Sequence, residues 1–322
     1  MTTCDGERFL PGQLRTIDDQ TRPVDEIVIF DDASTDGTWA ILSEFASTRP
    51  HVRLSRQSSR TGLFTNVQQA LAGVTGDVVV LADQDDEWLP DKVAQIESAF
   101  ADPGVTLWFS DATLIDEQGM SLDRTAWQAV RFDESARVAL CEHGRIERLL
   151  HGQTVSGATM AVRAALLEVA LPMPAATRDP EAGFLHDGWL AVLAAVAGRT
   201  VAIERPLTRY RQHATQTTHM HQTALANERR SGQRRTVRVR EEQLRADAAR
   251  TGLVADRCRS TPLERLGRPA AVAELIALER FVRARVTPSR ARRIPLVMTA
   301  VARGDYRRFA RGLRTALYDL SR

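Results

Sequence analysis

Only three cysteines occur in the 322-residue sequence, and they are widely separated and odd in number. Cys4, Cys141 and Cys258 form no C-x-x-C pair, which argues against zinc or dithiol redox chemistry and predicts reduced thiols in a cytoplasmic protein. Long apolar runs are also missing: the run Trp189–Gly198 ends at Arg199, short of the roughly 18 residues that span a bilayer. We also find no signal peptide.

Other missing patterns weaken three further interpretations. No G-x-G-x-x-G follows an early strand, which argues against a nicotinamide-dependent dehydrogenase. A Ca²⁺ loop of EF-hand type starting at Asp83 would need glycine and glutamate where the chain has Trp88 and Ala94. No aromatic residue occurs between Asn227 and Arg280, so the basic end of the chain offers nucleic-acid bases little to stack on. A phosphate-transferring enzyme with an aspartate nucleophile stays open.

The formal net charge of +2 conceals an uneven distribution of charge along the chain. From residue 227 to the end there are 24 arginines and 10 acidic residues, a net charge of +14, so residues 1–226 carry −12. The 43% hydrophobic and 26% charged content is that of an ordinary globular protein. We therefore predict an acidic domain over 1–226 and a basic, Arg-rich helical extension over 227–322.

Predicted strands and helices alternate in the first third of the chain. Apolar runs predict strands at 27–30, 52–55, 78–82 and 105–110, and apolar residues at helical spacing predict helices near 9–17, 39–45, 64–71 and 90–100. This alternation is typical of an α/β fold with mostly parallel strands. Ligands of such folds bind beyond the carboxyl ends of the strands.

An acidic loop follows one of these strands. The stretch "VVVLADQDDEWLPDK" places five carboxylates directly after an apolar run: Asp83, Asp85, Asp86, Glu87 and Asp91. Crowded carboxylates repel one another and favour a compensating cation, and hard oxygen ligands suit Mg²⁺ or Mn²⁺. Asp83 and Asp85 are two apart and can point the same way. An acidic cap for the helix after Pro90 would explain Asp86 or Glu87 but not the whole cluster.

Five motifs occur in an order that resembles family 2 glycosyltransferases, and within them the bacterial rhamnosyltransferase-like branch. They are "TCDGERFLPGQL", "IVIFDDASTDGT", "LADQDDEW", "HDGWLA" and "YRQH", and the resemblance covers roughly residues 1–215. It implies a GT-A fold with a mainly parallel central sheet, a nucleotide-sugar donor, a divalent cation and inversion at the anomeric carbon.

The resemblance also implies roles for single residues on the donor side. Asp83 would contact the nucleotide and its ribose. Thr3, Asp31 and Asp32 would line the nucleotide site, and Arg60 would contact the base or a phosphate. For Arg60, a solvated surface arginine is an equally good interpretation. For Asp36 of the same motif a structural role is favoured, because it can cap the following helix.

Three further positions belong to the chemical step and to the acceptor. By resemblance, Asp85 binds the metal, His213 completes the metal or diphosphate site, and Asp187 is the base that deprotonates the acceptor hydroxyl. A helix N-cap is the rival role for Asp187, and the two roles are compatible because a cap position holds a carboxylate rigidly. The segment 154–166 matches a family strand whose glycine would let the substrate approach closely.

The start of the sequence departs from the family pattern. Met1 and Thr2 directly precede the T-C-D-G turn, where the family has an apolar strand, so we expect the first sheet strand to be missing. Cys4 and Asp5 replace the usual aromatic residue and asparagine. We expect either that translation starts upstream of Met1 or that the nucleotide pocket is impaired.

The resemblance leaves the substrates open between a dTDP-, UDP- or GDP-sugar donor and a polysaccharide or lipid-linked acceptor. The end of the basic extension, "RRFARGLRTALYDLSR", predicts one amphipathic helix with arginines opposite an apolar face. That face would either bind the anionic inner leaflet of the plasma membrane or pack on the catalytic domain or a second subunit. The alternative function is nucleic-acid or membrane binding on an inactive GT-A scaffold.

Overall fold

The computed structural model describes residues 1–142, 144–150, 154–178, 185–214, 216, 237–261, 268–287, 289–310 and 312–321. Within these ranges two β-sheets are covered by helices, and a group of helices follows the last strand. The fold is of the α/β class that the sequence predicts.

The first third of the chain contains the elements that carry most of the sequence motifs. In chain order they are β1 (Thr2–Thr3), α1 (Leu10–Asp18), β2 (Ile27–Asp31), α2 (Thr38–Ser47), β3 (Val52–Arg56), α3 (Leu63–Ala72), β4 (Val78–Val80), β5 (Glu87–Trp88), α4 (Lys92–Phe100) and β6 (Val105–Ile115). Each predicted strand and helix of this region is present, with ends shifted by a few residues.

The remaining elements build the second sheet and its covering helices. They are β7 (Ser121–Thr125), α5 (Ala126–Val130), α6 (Glu134–Cys141), α7 (Glu147–Leu150), β8 (Met160–Arg163), α8 (Leu167–Ala170), α9 (His186–Ala197), β9 (Arg199–Arg211), α10 (Val237–Ser260), α11 (Pro269–Val286), α12 (Arg290–Ala302), α13 (Asp305–Phe309) and α14 (Leu313–Ser321).

The first sheet has the order β1-β2-β3 and is entirely parallel. Helix α1 packs on it because Leu10, Leu14 and Ile17 recur at three- and four-residue steps and bury the same face of the helix. Ile29 at the centre of β2 is fully buried in the same cluster. Parallel strands place their carboxyl ends along one edge, where β1 and β2 deliver Thr3 and Asp31.

The second sheet corrects the expectation of a mainly parallel arrangement. Its order is β4-β8-β6-β9-β5, with β7 also on β6. Only the β6–β9 pair is parallel, and the other pairs in this sheet are antiparallel. A short turn, in which Met120 and Asp116 bond through their backbones, joins β6 to β7 and forces these neighbours to run in opposite directions.

The first strand is short but present, so the expectation that it is missing is wrong for its last two residues. Thr2 and Thr3 pair with Phe30 and Asp31 of β2 in parallel register. The Met1 ammonium donates to the backbone oxygen of Val28 at 2.8 Å. Burial lowers the pKa of this ammonium to about 6. A cavity of about 530 Å³ lies beside it, between β2 and β4.

Helix α9 is the most deeply buried helix of the described ranges. Its residues from Trp189 to Val196 are all buried, and its apolar character on every side reflects this position in the core. The second sheet covers one side of it and α11 the other. None of the helices in the described ranges combines the length and apolar character that crossing a bilayer requires.

The C-terminal helices share their core with the second sheet. Val254, Leu275, Phe281 and Tyr306 belong to the same buried hydrophobic cluster as the core of α9. The domain boundary predicted between residues 226 and 227 lies outside the described residues. The single amphipathic helix predicted near the end is wrong: it divides into α13 and α14, and Gly312, with a φ of +66°, precedes the second of them.

Candidate active site

The acidic loop after β4 lies at the centre of a group of converging chain ends. The Asp83 side chain is partly buried, and this burial, with additions from Asp85 and Asp187, raises its pKa to about 7. Burial and the neighbouring carboxylates also raise the pKa of Asp86 well above its usual range. Repulsion among these carboxylates, predicted from their spacing, is therefore a feature of the folded site.

The cation-binding pair predicted from the sequence is in contact. Asp85 Oδ2 lies 2.7 Å from His213 Nε2, although the two residues are 128 positions apart. The His213 ring packs against the Phe9 ring at a centroid distance of 5.1 Å. His219 and His221 lie outside the described residues.

Arg211 holds the acidic loop and was not predicted from the sequence. Its guanidinium donates to the backbone oxygen of Asp85 at 2.8 Å and to the Glu87 carboxylate at 2.7 Å. Its backbone N–H donates to Asp86 Oδ1 at 2.8 Å. Arg211 lies two residues before His213 in the same motif, at the last position of β9. It fixes the loop that presents Asp85.

Asp187 lies in the first turn of α9, one position after the helix begins. Its Oδ2 accepts the N–H of Gly157 at 3.1 Å and its Oδ1 accepts the N–H of Gly188 at 2.7 Å. The N-cap is Leu185, so the N-cap role considered for Asp187 is wrong. A carboxylate in this turn is nevertheless stabilised by the positive end of the helix dipole.

Gly157 is required by the start of α9. A Cβ atom at this position would lie 3.3 Å from Nε2 of His186 and 3.8 Å from Cβ of Asp187. His186 is buried, and this burial lowers its pKa. The structure gives a protein contact for this glycine, and the substrate approach expected from the sequence stays a prediction.

Lys92, the only lysine of the chain, connects the two halves of the site. Its Nζ donates to the backbone oxygen of Ala158 at 2.7 Å and to Thr208 Oγ1 at 3.0 Å. The side chain is fully buried beside the Trp88 ring, and this burial lowers its pKa to about 7. Lys92 was not predicted as a site residue, because nothing in the local sequence around it indicates partners as distant as Ala158 and Thr208.

The predicted nucleotide-side residues converge at the ends of β1 and β2, with their polar atoms bonded to protein. Asp31 is fully buried and accepts from Thr3 Oγ1 at 3.0 Å and from the Ser34 N–H at 3.0 Å. Asp32 accepts the N–H groups of Thr61 and Gly62 at 2.7 and 2.8 Å. These two carboxylates therefore fix the loops around the strand ends.

Arg60 lies at the exposed rim of the same region and forms an ion pair with Asp5.

Gln84, the middle residue of the D-Q-D sequence, joins the acidic loop to the first turn. It accepts from the Cys4 N–H at 2.8 Å and donates to the Cys4 oxygen at 3.0 Å. Gln84 is a second residue missed from the sequence. Asp36 accepts the N–H of Thr38, the first residue of α2, at 3.0 Å, but the N-cap of α2 is Gly37, so the cap role predicted for Asp36 is wrong.

Possible donor atoms for a divalent cation occur in the acidic loop and at His213. The described residues contain no group of three or more His, Cys, Asp or Glu side chains that could hold a metal ion on its own. Asp85 and His213 supply one carboxylate and one imidazole in contact with each other. Asp86 Oδ2 is buried with no hydrogen-bond partner in the described structure. This set fits a cation that completes its coordination with phosphate oxygens.

Comparison with known proteins finds a family model that matches the N-terminal part of the chain. Residues 1–138 match the family model described as glycosyl transferase family 2. An uncharacterized glycosyltransferase of Nostoc sp. is 25% identical over 207 residues, which are 64% of this chain and 61% of that protein. TuaG of Bacillus subtilis, provisionally named a teichuronic acid biosynthesis glycosyltransferase, is 25% identical over 149 residues, or 45% of this chain and 59% of TuaG.

Solved structures give the fold. Residues 1–349 of TarS from S. aureus, crystallised in complex with UDP-GlcNAc, superpose with a TM-score of 0.52 at 15% identity. The match covers 93% of this chain and 79% of that one. The chain thus spans about three fifths of the two curated relatives named above and nearly four fifths of this TarS fragment. Its fold is GT-A, and residues 1–138 match the family model described as glycosyl transferase family 2.

Proposed function

We propose that the protein is a metal-dependent, inverting glycosyltransferase that moves a sugar from a nucleotide-diphosphate sugar to a saccharide or lipid-linked acceptor. The observation that carries this proposal is the contact between Asp85 and His213 at 2.7 Å, beside Asp83 and near Asp187. These are the residues to which family resemblance gives donor, metal and base roles, and the region from Asp83 to Asp85 lies within the matched family segment.

Asp85 and His213 would hold a Mg²⁺ or Mn²⁺ ion in this proposal. The ion, when bound, neutralises phosphate oxygens and so stabilises the departing nucleoside diphosphate. Arg211 has a positioning role, because its three contacts to the acidic loop fix the direction of the Asp85 carboxylate. Burial and the nearby Asp85 carboxylate raise the pKa of Asp86, whose Oδ2 has no hydrogen-bond partner in the described structure. Asp86 would therefore respond to the same positive charge.

Asp187 would accept the proton of the acceptor hydroxyl as it attacks the anomeric carbon. A general base must be held rigidly and within hydrogen-bond reach of its substrate. The N–H groups of Gly157 and Gly188 hold this carboxylate from two directions. Lys92 holds the backbone of the same turn through Ala158, so the acidic loop and the base are positioned by one buried side chain.

The donor nucleotide would lie over the ends of β1 and β2. Asp31 and Asp32 would shape its pocket, since their oxygens fix the neighbouring loops, and Thr3 supports Asp31. Arg60 is half-exposed and has only an exposed carboxylate as its partner, so it is available for a phosphate or base contact. Asp83, whose pKa is raised to about 7, would contact the ribose.

The substrates follow from resemblance and from the relatives. The rhamnosyltransferase-like motifs favour dTDP-rhamnose as the donor, and the provisional name of TuaG favours a cell-surface polysaccharide as the acceptor. Both agree with a location on the cytoplasmic side of the membrane, where nucleotide sugars are made. Each residue named for the proposed reaction belongs to one chain, so the reaction does not require an oligomer.

A donor panel tests the proposal. The full chain is incubated with dTDP-rhamnose, UDP-GlcNAc and GDP-mannose, and release of the nucleoside diphosphate is measured with Mn²⁺, with Mg²⁺ and with excess chelator. We expect release from one nucleotide class that depends on the cation and is lost in Asp85→Asn. Equal release in the presence of chelator would contradict the metal-dependent mechanism. Absence of release and of nucleotide binding across the panel would favour the inactive-scaffold alternative.

A further inference from the structure

Large apolar side chains are exposed mainly at one place on this protein. Seven such side chains are exposed in the described residues, and two of them are Leu63 and Met120. The other five lie on α12 and α14, the helices that replace the single helix expected at the end of the chain: Ile294, Leu296, Met298, Leu313 and Leu317. Scattered exposed apolar residues need no explanation, but this concentration does.

The five side chains lie on two helices that pack against each other. Helix α12 buries Arg293, Val297 and Ala300 toward the protein, so Ile294 and Met298 lie together on its outer surface, one turn apart. Helix α14 contacts α12 and likewise exposes Leu313 and Leu317 one turn apart. The exposed fractions of these two leucines are 60% and 66%. We call these five residues the apolar tip.

The apolar tip belongs to a strongly basic segment of the chain. Residues 289–322 contain nine arginines and two acidic residues, a formal net charge of +7. One of the acidic residues, Asp319, is buried and is bonded to Arg285 and Tyr306. In contrast, Arg303 and Arg307 are exposed and form no ion pair with another described residue. Arg292 and Arg308 are exposed as well, so four of these nine arginines face solvent in the described part of the chain.

We propose that the apolar tip and its arginines bind an anionic membrane surface. Aliphatic side chains of this kind enter the boundary between headgroups and acyl chains, and each cation near an anionic surface adds about 1 kcal/mol. Charge complementarity favours this occupant over a second copy of the chain, since a symmetric dimer would bring two surfaces of net charge +7 together. The exposed side chains are aliphatic, so they offer nucleic-acid bases no aromatic ring for stacking.

The test is sedimentation of the full chain with vesicles, and it does not depend on the proposed transferase activity. We expect binding to vesicles of equal parts phosphatidylcholine and phosphatidylglycerol, and little binding to phosphatidylcholine alone. Leu313→Gln with Leu317→Gln should weaken binding about tenfold or more, because two anchoring side chains are lost. Arg303→Gln with Arg307→Gln should weaken it by a similar factor, and added salt should do the same.

Met120→Gln is the matched control, because Met120 is 67% exposed but lies in the turn between β6 and β7, away from the tip. This variant should bind vesicles as well as the wild type. Circular dichroism checks that the variants keep their helices. Equal binding by the leucine variant, or equal binding to both kinds of vesicle, would overturn the proposal. So would a dimer in light scattering that the leucine substitutions convert to a monomer.

Discussion

Lys92 Nζ and the backbone oxygen of Ala158 lie 2.7 Å apart, although 66 positions separate them in the chain. Lys92 begins α4, directly after the acidic loop, while Ala158 follows the glycine whose N–H holds Asp187. One fully buried ammonium thus links the proposed cation site to the proposed base. Its positive charge also acts on Asp83 and Asp86: burial raises the pKa of both carboxyl groups, and Lys92 opposes that rise.

Replacement of Lys92 by methionine should weaken this link. Methionine has a similar length but cannot donate, so Ala158 keeps only its weaker bond from Thr208 Oγ1 at 3.2 Å. At about pH 10, where the amine of Lys92 is neutral in the folded protein, loss of its two bonds should lower the free energy of unfolding by about 1–3 kcal/mol. Urea denaturation at that pH measures the change. An unchanged midpoint and slope would show that these two bonds do not stabilise the fold.

The same variant should change how stability depends on pH. Burial lowers the pKa of Lys92 in the folded protein to about 7 from the ordinary value of 10.5. Between these values the unfolded chain binds the proton and the folded chain does not, so this group makes the protein more stable as the pH rises from 7 toward 10. Lys92→Met removes this contribution. Denaturation curves at several pH values should therefore rise less steeply for the variant than for the wild type, and parallel curves would contradict the prediction.

Asp85→Asn tests the cation site within the acidic loop. Asparagine keeps the shape of the side chain but carries no charge, so His213 loses its anionic partner and a divalent ion loses a ligand. We expect nucleotide-sugar turnover to fall at least about 100-fold, in the range of other losses of a metal-positioning group. Asp91→Asn is the control, since Asp91 belongs to the same loop region but pairs with Arg205 at the surface. Equal effects of the two substitutions would reject a specific role for Asp85.

The comparison of sequence and structure shows which interactions local pattern can reveal. The helix over Leu10–Asp18 and the strand over Ile27–Asp31 were predictable because their apolar spacing is contained within each segment. Asp85 and His213 were each assigned to the cation site by resemblance; the two side chains are in contact, and their metal role stays a prediction. Lys92, Gln84 and Arg211 were missed because their partners lie 66 to 126 positions away, and nothing local indicates such partners.

Strand pairing in the second sheet likewise could not be predicted from local pattern. Apolar runs indicate that a strand exists but not which neighbour it pairs with or in which direction, so a mainly parallel sheet was predicted and a mixed one is present. The division of the last predicted helix at Gly312 had a visible signal, the glycine itself, which amphipathic spacing on both sides obscured.

Asp187→Asn tests the proposed base. Asparagine preserves the size of the side chain and can still accept the N–H of Gly157, but it cannot take up a proton at neutral pH. We expect the rate of transfer to an acceptor to fall by about 10²–10⁴-fold, the usual contribution of general base catalysis. Nucleotide affinity, measured by titration calorimetry, should stay unchanged. A parallel loss of nucleotide affinity would indicate a binding role for Asp187 instead.

Gly157→Ala tests the contact between the turn and the start of α9. The new methyl group would lie 3.3 Å from His186 Nε2 and at an ordinary contact distance of 3.8 Å from Cβ of Asp187, so the buried His186 ring must give by a few tenths of an ångström. Because His186 precedes Asp187 in the same helix turn, we expect the shift to displace the Asp187 carboxylate from its best position relative to the acceptor and so to lower turnover. We expect reduced turnover with a smaller change in the free energy of unfolding.

Gly252→Ala is the matched control for that experiment. Gly252 lies inside α10, and a Cβ atom there would meet nothing within 4 Å. Alanine is favoured over glycine in a helix interior by about 1 kcal/mol, so this variant should be more stable than the wild type and equally active. Thermal unfolding measures the stability of each variant, and nucleotide release measures its turnover. Lower turnover in Gly157→Ala alone would separate a positional effect at Gly157 from the general effect of adding a methyl group. Equal turnover in both would show that the start of α9 accommodates the methyl group without moving Asp187.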